Sequence, residues 1–192
     1  MIRKLLVGTA VGLALSTSAA AQVQWSGNGH YYEYVQNAAT WADAFADANS
    51  RTFMGMQGYL ATITSAGENS FTATTVAGGN QAWLGGSDDG NAVNSWTWRN
   101  GPETGQAFSF TAWAFGEPND CCGGENYVVT NWGTETWNDI GAPAFPNYAV
   151  GYIVEYSPIT TAVPEPETYA MMLAGLGLLG FAARRRKQKT AA

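Results

Sequence analysis

Basic residues are almost missing from the middle of this sequence. Of the nine Lys and Arg, seven lie near the two ends: Arg3, Lys4, Arg184, Arg185, Arg186, Lys187 and Lys189. Between Gln22 and Val163 only Arg51 and Arg99 stand against thirteen Asp and Glu, a net charge near −11. A surface of that sign repels phosphate backbones and argues against nucleic acid as a partner. It favours cations and neutral ligands. Cysteine is nearly absent too. Cys121 and Cys122 are the only two, and they are adjacent. A CC pair is not a zinc spacing, and no other cysteine is available to complete one. In an exported chain, an even count points to some disulfide: a vicinal bond or a bridge between molecules, with two free thiols as the alternative. There is one histidine, His30, with no serine or cysteine partner at a suggestive spacing. No phosphate-binding loop or nucleophile motif occurs, so the chain does not read as an enzyme. Long apolar runs are missing as well. The run from Tyr169 to Ala183 has 15 residues. As a helix it reaches about 22 Å, short of a hydrocarbon core of about 30 Å.

The two ends read as addresses rather than as fold. Arg3 and Lys4 precede an apolar run from Leu5 to Leu15, and Ala19-Ala20-Ala21 closes it with small residues. That is the pattern of a secretory signal peptide over residues 1–21, with Gln22 as the mature N-terminus. At the other end, Val163-Pro164-Glu165-Pro166 is followed by the apolar run 169–183 and then by Arg184-Arg185-Arg186-Lys187. This segment, 163–192, resembles the PEP-CTERM sorting signal of Gram-negative bacteria. The resemblance implies recognition and processing by an exosortase. It also implies a transmembrane helix that anchors the chain in the inner membrane, at least transiently. The cations would stay cytoplasmic and the domain would lie on the other side.

Residues 22–162 are enough for one domain with its own core. The sequence predicts a strand over Gly29–Val35. A helix follows, with Thr40 as its cap, Asp43 at the third position, and Trp41, Ala44, Phe45 and Ala48 on one buried face. Tyr59–Ile63 reads as a short strand. Ser65 and Glu68 make a capping box for a second helix to about Ala77, which Gly78-Gly79-Asn80 stops. From there the signals are strand and turn: Ala82–Gly86, Ser95–Trp98, Tyr127–Thr130 and a closing strand over Ala149–Tyr156. Trp41, Trp83, Trp96, Trp98 and Trp113 are expected in the core, and Phe115 or Trp132 near a ligand. The order is α+β, two helices with a mostly antiparallel sheet.

One stretch concentrates chemistry. Glu117 to Asp139 reads EPNDCCGGENYVVTNWGTETWND; it offers Glu117, Asp120, Glu125 and Asp139 as carboxylates, Asn119, Asn126 and Asn138 as amides, and no basic residue. Carboxylates crowded without counter-charges call for a cation, and an all-oxygen donor set suits Ca²⁺ better than Mg²⁺. A cis bond before Pro118 would turn its two neighbours to one side. Glu117-Pro118-Asn119, Glu125 eight positions on, and Trp137-Asn138-Asp139 together resemble the calcium site of the C-type lectin-like domain. The first helix with Trp41, the strand Leu60–Ile63, Trp83-Leu84-Gly85-Gly86, Trp96-Thr97-Trp98 with Asn100-Gly101, and Trp113 also fall where that family has similar residues. The resemblance covers about 28–157.

What the resemblance implies is specific. The fold would be the C-type lectin-like fold, with a twisted sheet and a long calcium-binding loop. Glu117, Asn119, Glu125, Asn138 and Asp139 would bind one Ca²⁺. Glu117, Asn119, Glu125 and Asn138 would also hold two vicinal sugar hydroxyls, the acids accepting and the amides donating. An EPN triplet goes with mannose- and glucose-type sugars. Asp88, Asp120 and Asn126 fall at an auxiliary calcium site, where Ala92 replaces a further acid. The family's two disulfides cannot form, because Ala48, Val154 and Tyr127 stand at cysteine positions. The function implied is calcium-dependent carbohydrate binding at a cell surface or in an extracellular matrix, with exopolysaccharide or a surface glycan as partner. The alternative is a calcium-stabilised scaffold for protein–protein adhesion or biofilm structure without sugar binding.

Overall fold

The computed structural model describes residues 21–122, 124–141, 151–158, 171 and 173–176. The chain divides into two compact units, residues 1–158 and 159–192. In the first, the elements run β1 (Val23–Gln24), β2 (Tyr31–Val35), α1 (Trp41–Ser50), β3 (Thr52–Phe53), β4 (Met56–Leu60), α2 (Ala66–Ser70), a π-helical turn (Phe71–Val76), β5 (Ala82–Ser87), β6 (Thr97–Trp98), β7 (Tyr127–Thr130), β8 (Trp137–Ile140) and β9 (Gly151–Tyr156). The fold is α+β.

The last strand is the hub of the sheet. β9 pairs antiparallel with β2 along its whole length, antiparallel with β4 from Gly58↔Tyr156 to Leu60↔Val154, and parallel with β5 at Ala82 and Trp83. β5 continues to β7, and β7 to β8. All six residues of β9 are buried. Side chains alternate between faces along a strand. Tyr152, Val154 and Tyr156 therefore join Trp41, Ala44, Ala48, Leu60, Trp83 and Val129 in one core, which α1 covers. Ile153 joins Tyr32, Ala61, Ile63, Leu84, Val128 and Trp137 in a second core on the other face.

α1 forms as its sequence dictates. Thr40 caps it by accepting from the Asp43 amide at 3.1 Å, and Trp41, Ala44 and Ala48 are buried. Ser65 caps α2 through the Glu68 amide. Three expectations need correction. The strand expected at 59–63 is centred earlier, at Met56–Leu60, because Met56 and Gln57 pair with β3 and Gly58–Leu60 with β9; beyond it the Ala61 amide donates to Ile153 O and Ala61 O accepts from the Gly85 amide. The second helix is not one continuous α-helix: it becomes π-helical at Phe71. Only Thr97 and Trp98 of the strand expected over 95–98 are paired, with Ser87 and Gly86.

Ala48 and Val154 are buried in one core. A polar clamp ties the same two elements together. Asp47 on α1 accepts from Tyr152 Oη of β9 and from Arg51 Nε. Arg51 Nη1 reaches Glu33 Oε1 on β2 at 2.9 Å, and Tyr156 Oη donates to Glu33 Oε2 at 2.9 Å. Between helix and strand, Gly58 leaves no spare room. A Cβ there would stand 2.7 Å from Ala48 O and 3.0 Å from Val154 Cγ1. Gly58→Ala is expected to cost about 1–3 kcal/mol by overpacking, read as a lower urea midpoint. An unchanged midpoint would refute this packing.

Residues 1–20 lie outside the described residues, as do residues 163–168. Of the apolar run 169–183, only Met171 and Leu173–Leu176 are described, and they are helical. Among the described residues no helix is long and apolar enough to cross a membrane. The expected transmembrane helix thus falls almost wholly outside them.

Candidate functional site

β7 and β8 form a ribbon with Val128↔Asp139 and Val129↔Asn138 in register. Asp139 is completely buried. Its two oxygens hold the turn that follows the EPN triplet: Oδ1 accepts from the Asn119 amide at 3.1 Å and Oδ2 from the Asp120 amide at 2.8 Å. Asp120 Oδ1 in turn accepts from the Glu125 amide at 3.0 Å. The Cys121 amide is shared between Asn119 Oδ1 at 2.9 Å and Glu125 Oε2 at 3.1 Å. The Glu117–Pro118 peptide is cis. Cys121 and Cys122 are joined by a vicinal disulfide.

These bonds gather four of the five expected ligands around one cavity of about 230 Å³. Glu117, Asn119, Glu125 and Asn138 line it with Cys121, Cys122, Trp132 and Ile140. Asp139 does not line the cavity; it braces the turn from behind. Among the described residues no three His, Cys, Asp or Glu side chains are grouped to hold a metal ion by themselves. The converging set is mixed, two carboxylates and two amides.

Two features of that set suit a hard cation. Glu117 Oε2 and Asn138 Oδ1 are buried acceptors with no hydrogen-bond partner. A buried acceptor without a donor is costly unless something positive meets it. The carboxyls also crowd one another. Burial, then the neighbouring Asp139, raises the Glu117 pKa above its ordinary value. Glu125 is raised by burial and by Asp139, against a smaller opposing effect of the Cys121 N–H. A cation among them would favour the ionised forms.

The expected auxiliary group is divided. Asp88 accepts from Asn126 Nδ2 at 2.9 Å and from the Asn94 amide at 2.8 Å. Asp120 is engaged with Glu125 instead. Asn126 therefore presents its N–H₂, not its carbonyl oxygen, to Asp88. Phe115 is fully exposed and Trp132 partly so. Trp113, expected in the core, is only half-buried and lines a second cavity with Trp96 and Phe108.

A second polar cluster escaped sequence reading. Glu155, fully buried on β9, meets His30 Nδ1 at 2.5 Å and accepts from the Thr62 amide at 2.9 Å. Tyr32 Oη lies 2.5 Å from Glu68 Oε1 and 3.3 Å from Glu155 Oε1. Nothing local marks Glu155 as buried, since it owes its partners to strand pairing; Glu68 also has a local partner, accepting from the Thr64 amide at 2.7 Å.

Residues 162–187 match the PEP-CTERM protein-sorting motif. Over 144 residues the chain is 35% identical to halomucin of Haloquadratum walsbyi, covering 70% of this chain and 2% of halomucin. It is 34% identical over 116 residues to ladderlectin of Oncorhynchus mykiss, covering 57% of this chain and 55% of ladderlectin. Among solved structures, the C-type lectin CEL-I from Cucumaria echinata matches with a TM-score of 0.55 and 23% identity, over 67% of this chain and 90% of CEL-I. The domain has the C-type lectin fold. The C-type lectin-like domain and the sorting motif stand together in one exported chain. It spans about half of ladderlectin and a small fraction of halomucin. In this domain the EPN loop, Trp132 and β8 line the cavity, and Glu155 of β9 and Tyr32 of β2 stand in the buried acid cluster.

Proposed function

We propose that this exported lectin-like protein binds carbohydrate through Ca²⁺ held by Glu117, Asn119, Glu125 and Asn138, the four of the five expected ligands that line one cavity. The observation that carries this reading is the pair of buried acceptors without donors, Glu117 Oε2 and Asn138 Oδ1. Their residues line one cavity with Asn119 and Glu125. Bound there, Ca²⁺ would supply positive charge and coordination positions for sugar hydroxyls. The chain's own groups then sort those hydroxyls: carboxylates accept, amide N–H₂ groups donate. Asp139 keeps the turn in shape from behind. With an EPN triplet, mannose- and glucose-type sugars of exopolysaccharide or surface glycans are the ligands. The reading is a binding protein, not an enzyme. The C-terminal segment would pass the inner membrane and an exosortase before the domain reaches the cell surface or matrix.

Calorimetry of the full chain tests this. Calcium heat is expected, and it should be lost in Glu117→Gln and Asn138→Ala. Methyl α-mannoside or methyl α-glucoside should give heat only with calcium present, with affinity near the millimolar range, about −4 kcal/mol. Affinity that weak requires many copies at a surface for adhesion. Equal calcium binding in the variants would overturn the site. Calcium heat without sugar heat would replace the lectin reading with the protein-adhesion scaffold.

A further inference from the structure

We propose that the cavity over Trp96, Phe108 and Trp113 is a second sugar subsite, so that the ligand is an oligosaccharide running across Pro118. This rests on the sugar-binding reading of the neighbouring loop and names the size of its ligand. The cavity measures about 540 Å³. That lies within the range of small-molecule sites and exceeds the loop cavity beside it.

Its floor is aromatic and held in place. Trp96 and Trp113 lie 5.0 Å apart between ring centroids, and Phe108 and Trp113 lie 6.4 Å apart at an interplanar angle of 26°. Trp98 stacks behind Phe108 at 4.1 Å, and Trp137 meets Trp113 edge-on at 5.7 Å. Rings locked by other rings lose little freedom when a ligand settles on them. Its rim is polar but uncharged: Asn94, Ser95, Thr97 and Thr111. Ser95 and Thr111 are exposed, and their hydroxyls make no hydrogen bond among the described residues.

That combination selects one class of ligand. An aromatic floor takes the C–H face of a pyranose, and free hydroxyls both donate to and accept from its OH groups. The absence of any charged lining residue, in a domain already strongly acidic, disfavours anionic ligands. An acyl chain would leave the polar rim without partners.

Position links the two cavities. Glu117 and Asn119 line the loop cavity, while Pro118 between them lines this one. Trp113 is also tied to the strand that carries Asn138: the Ala114 amide donates to Trp137 O at 2.8 Å, and the Trp137 amide to Ala112 O at 2.7 Å. A sugar held at Glu117 and Asn119 therefore has its next residue beside the aromatic floor.

The test compares α-mannotriose and maltotriose with their methyl monosaccharides by calorimetry, on the full chain in calcium. The trisaccharide is expected to bind at least about tenfold tighter than its monosaccharide, the equivalent of about 1.4 kcal/mol. Ser95→Phe and Thr111→Phe, both at the exposed rim, should remove that gain and leave monosaccharide and calcium binding unchanged. Equal affinity for trisaccharide and monosaccharide, with calcium dependence kept, would overturn the subsite and leave the loop reading standing. Trisaccharide binding that persists in EDTA and is lost in the rim variants would support the subsite and overturn the calcium reading. Absence of any sugar binding would overturn both.

Discussion

Asp139→Ala is expected to abolish calcium binding and to destabilise the domain more in calcium than in EDTA. Asp139 carries two backbone bonds at once, from Asn119 and Asp120. Bonds to a charged acceptor are worth about 1.5–3 kcal/mol each. Without them the EPN turn loses the brace that sets Asn119 against the cavity. In EDTA the loss is partly offset, because removing Asp139 also removes the charge that crowds Glu117 and Glu125. The net cost there is expected near ~2 kcal/mol. In calcium at about a hundred times its dissociation constant, the variant also forfeits about 2.7 kcal/mol of ligand stabilisation. Urea unfolding in both conditions, beside calorimetry, separates these contributions. Equal losses in calcium and EDTA would mean that Asp139 braces the loop without serving a cation.

Glu155→Ala is expected to cost about 3–5 kcal/mol. The change leaves the buried Thr62 amide without its acceptor and opens a void beside Tyr32. Glu155→Gln should cost less, since a carbonyl still faces Thr62, but it should change the pH dependence. The side-chain bond to Glu155 raises the His30 pKa above its ordinary 6.5, against an opposing effect of burial; Glu68 and Glu103 add to the rise. Burial also favours the protonated form of Glu155. Both shifts have the same sign: the folded pair holds a proton to higher pH than the unfolded groups do. A group whose folded value is raised contributes stability that is complete below its unfolded value and is lost as pH rises through the folded one. For His30 that loss begins near pH 6.5 and continues upward. Unfolding free energy in calcium is therefore expected to fall between pH 6 and 8, with a shallower fall in Glu155→Gln. An unchanged slope in that variant would rule out the pair as the source.

Several parts of this protein were legible from local sequence because their causes are local. Thr40 caps α1 through a residue three positions on, and Trp41, Ala44 and Ala48 face one way because a helix repeats every 3.6 residues. β7 ran as its β-prone residues predicted, Tyr127–Thr130. The EPN triplet, Glu125 and the WND triplet could be picked out as one group because their spacing is itself the motif.

Tertiary structure decided the rest. Glu33 and Glu155 stand in strands where nothing local marks them as buried. They are buried because β9 pairs with both β2 and β4, which brings Arg51 and Tyr156 to Glu33, and His30 and the Thr62 amide to Glu155. The start of β4 is likewise set by pairing, since Met56 and Gln57 lie opposite Phe53 and Thr52 of β3. Trp113 has the composition of a core residue; its half-buried place over a cavity depends on where the 107–113 loop meets β8. Asp139 and Asn138 are neighbours in one triplet, yet one braces the turn and the other lines the cavity. Adjacent side chains on a strand point to opposite faces. By itself the sequence determined the helix that covers the sheet and the sorting motif at the C-terminal end, and it singled out the residues proposed here to carry the chemistry. Which oxygens are left without donors, and which aromatic faces stay open, depend on long-range strand pairing that no local pattern encodes.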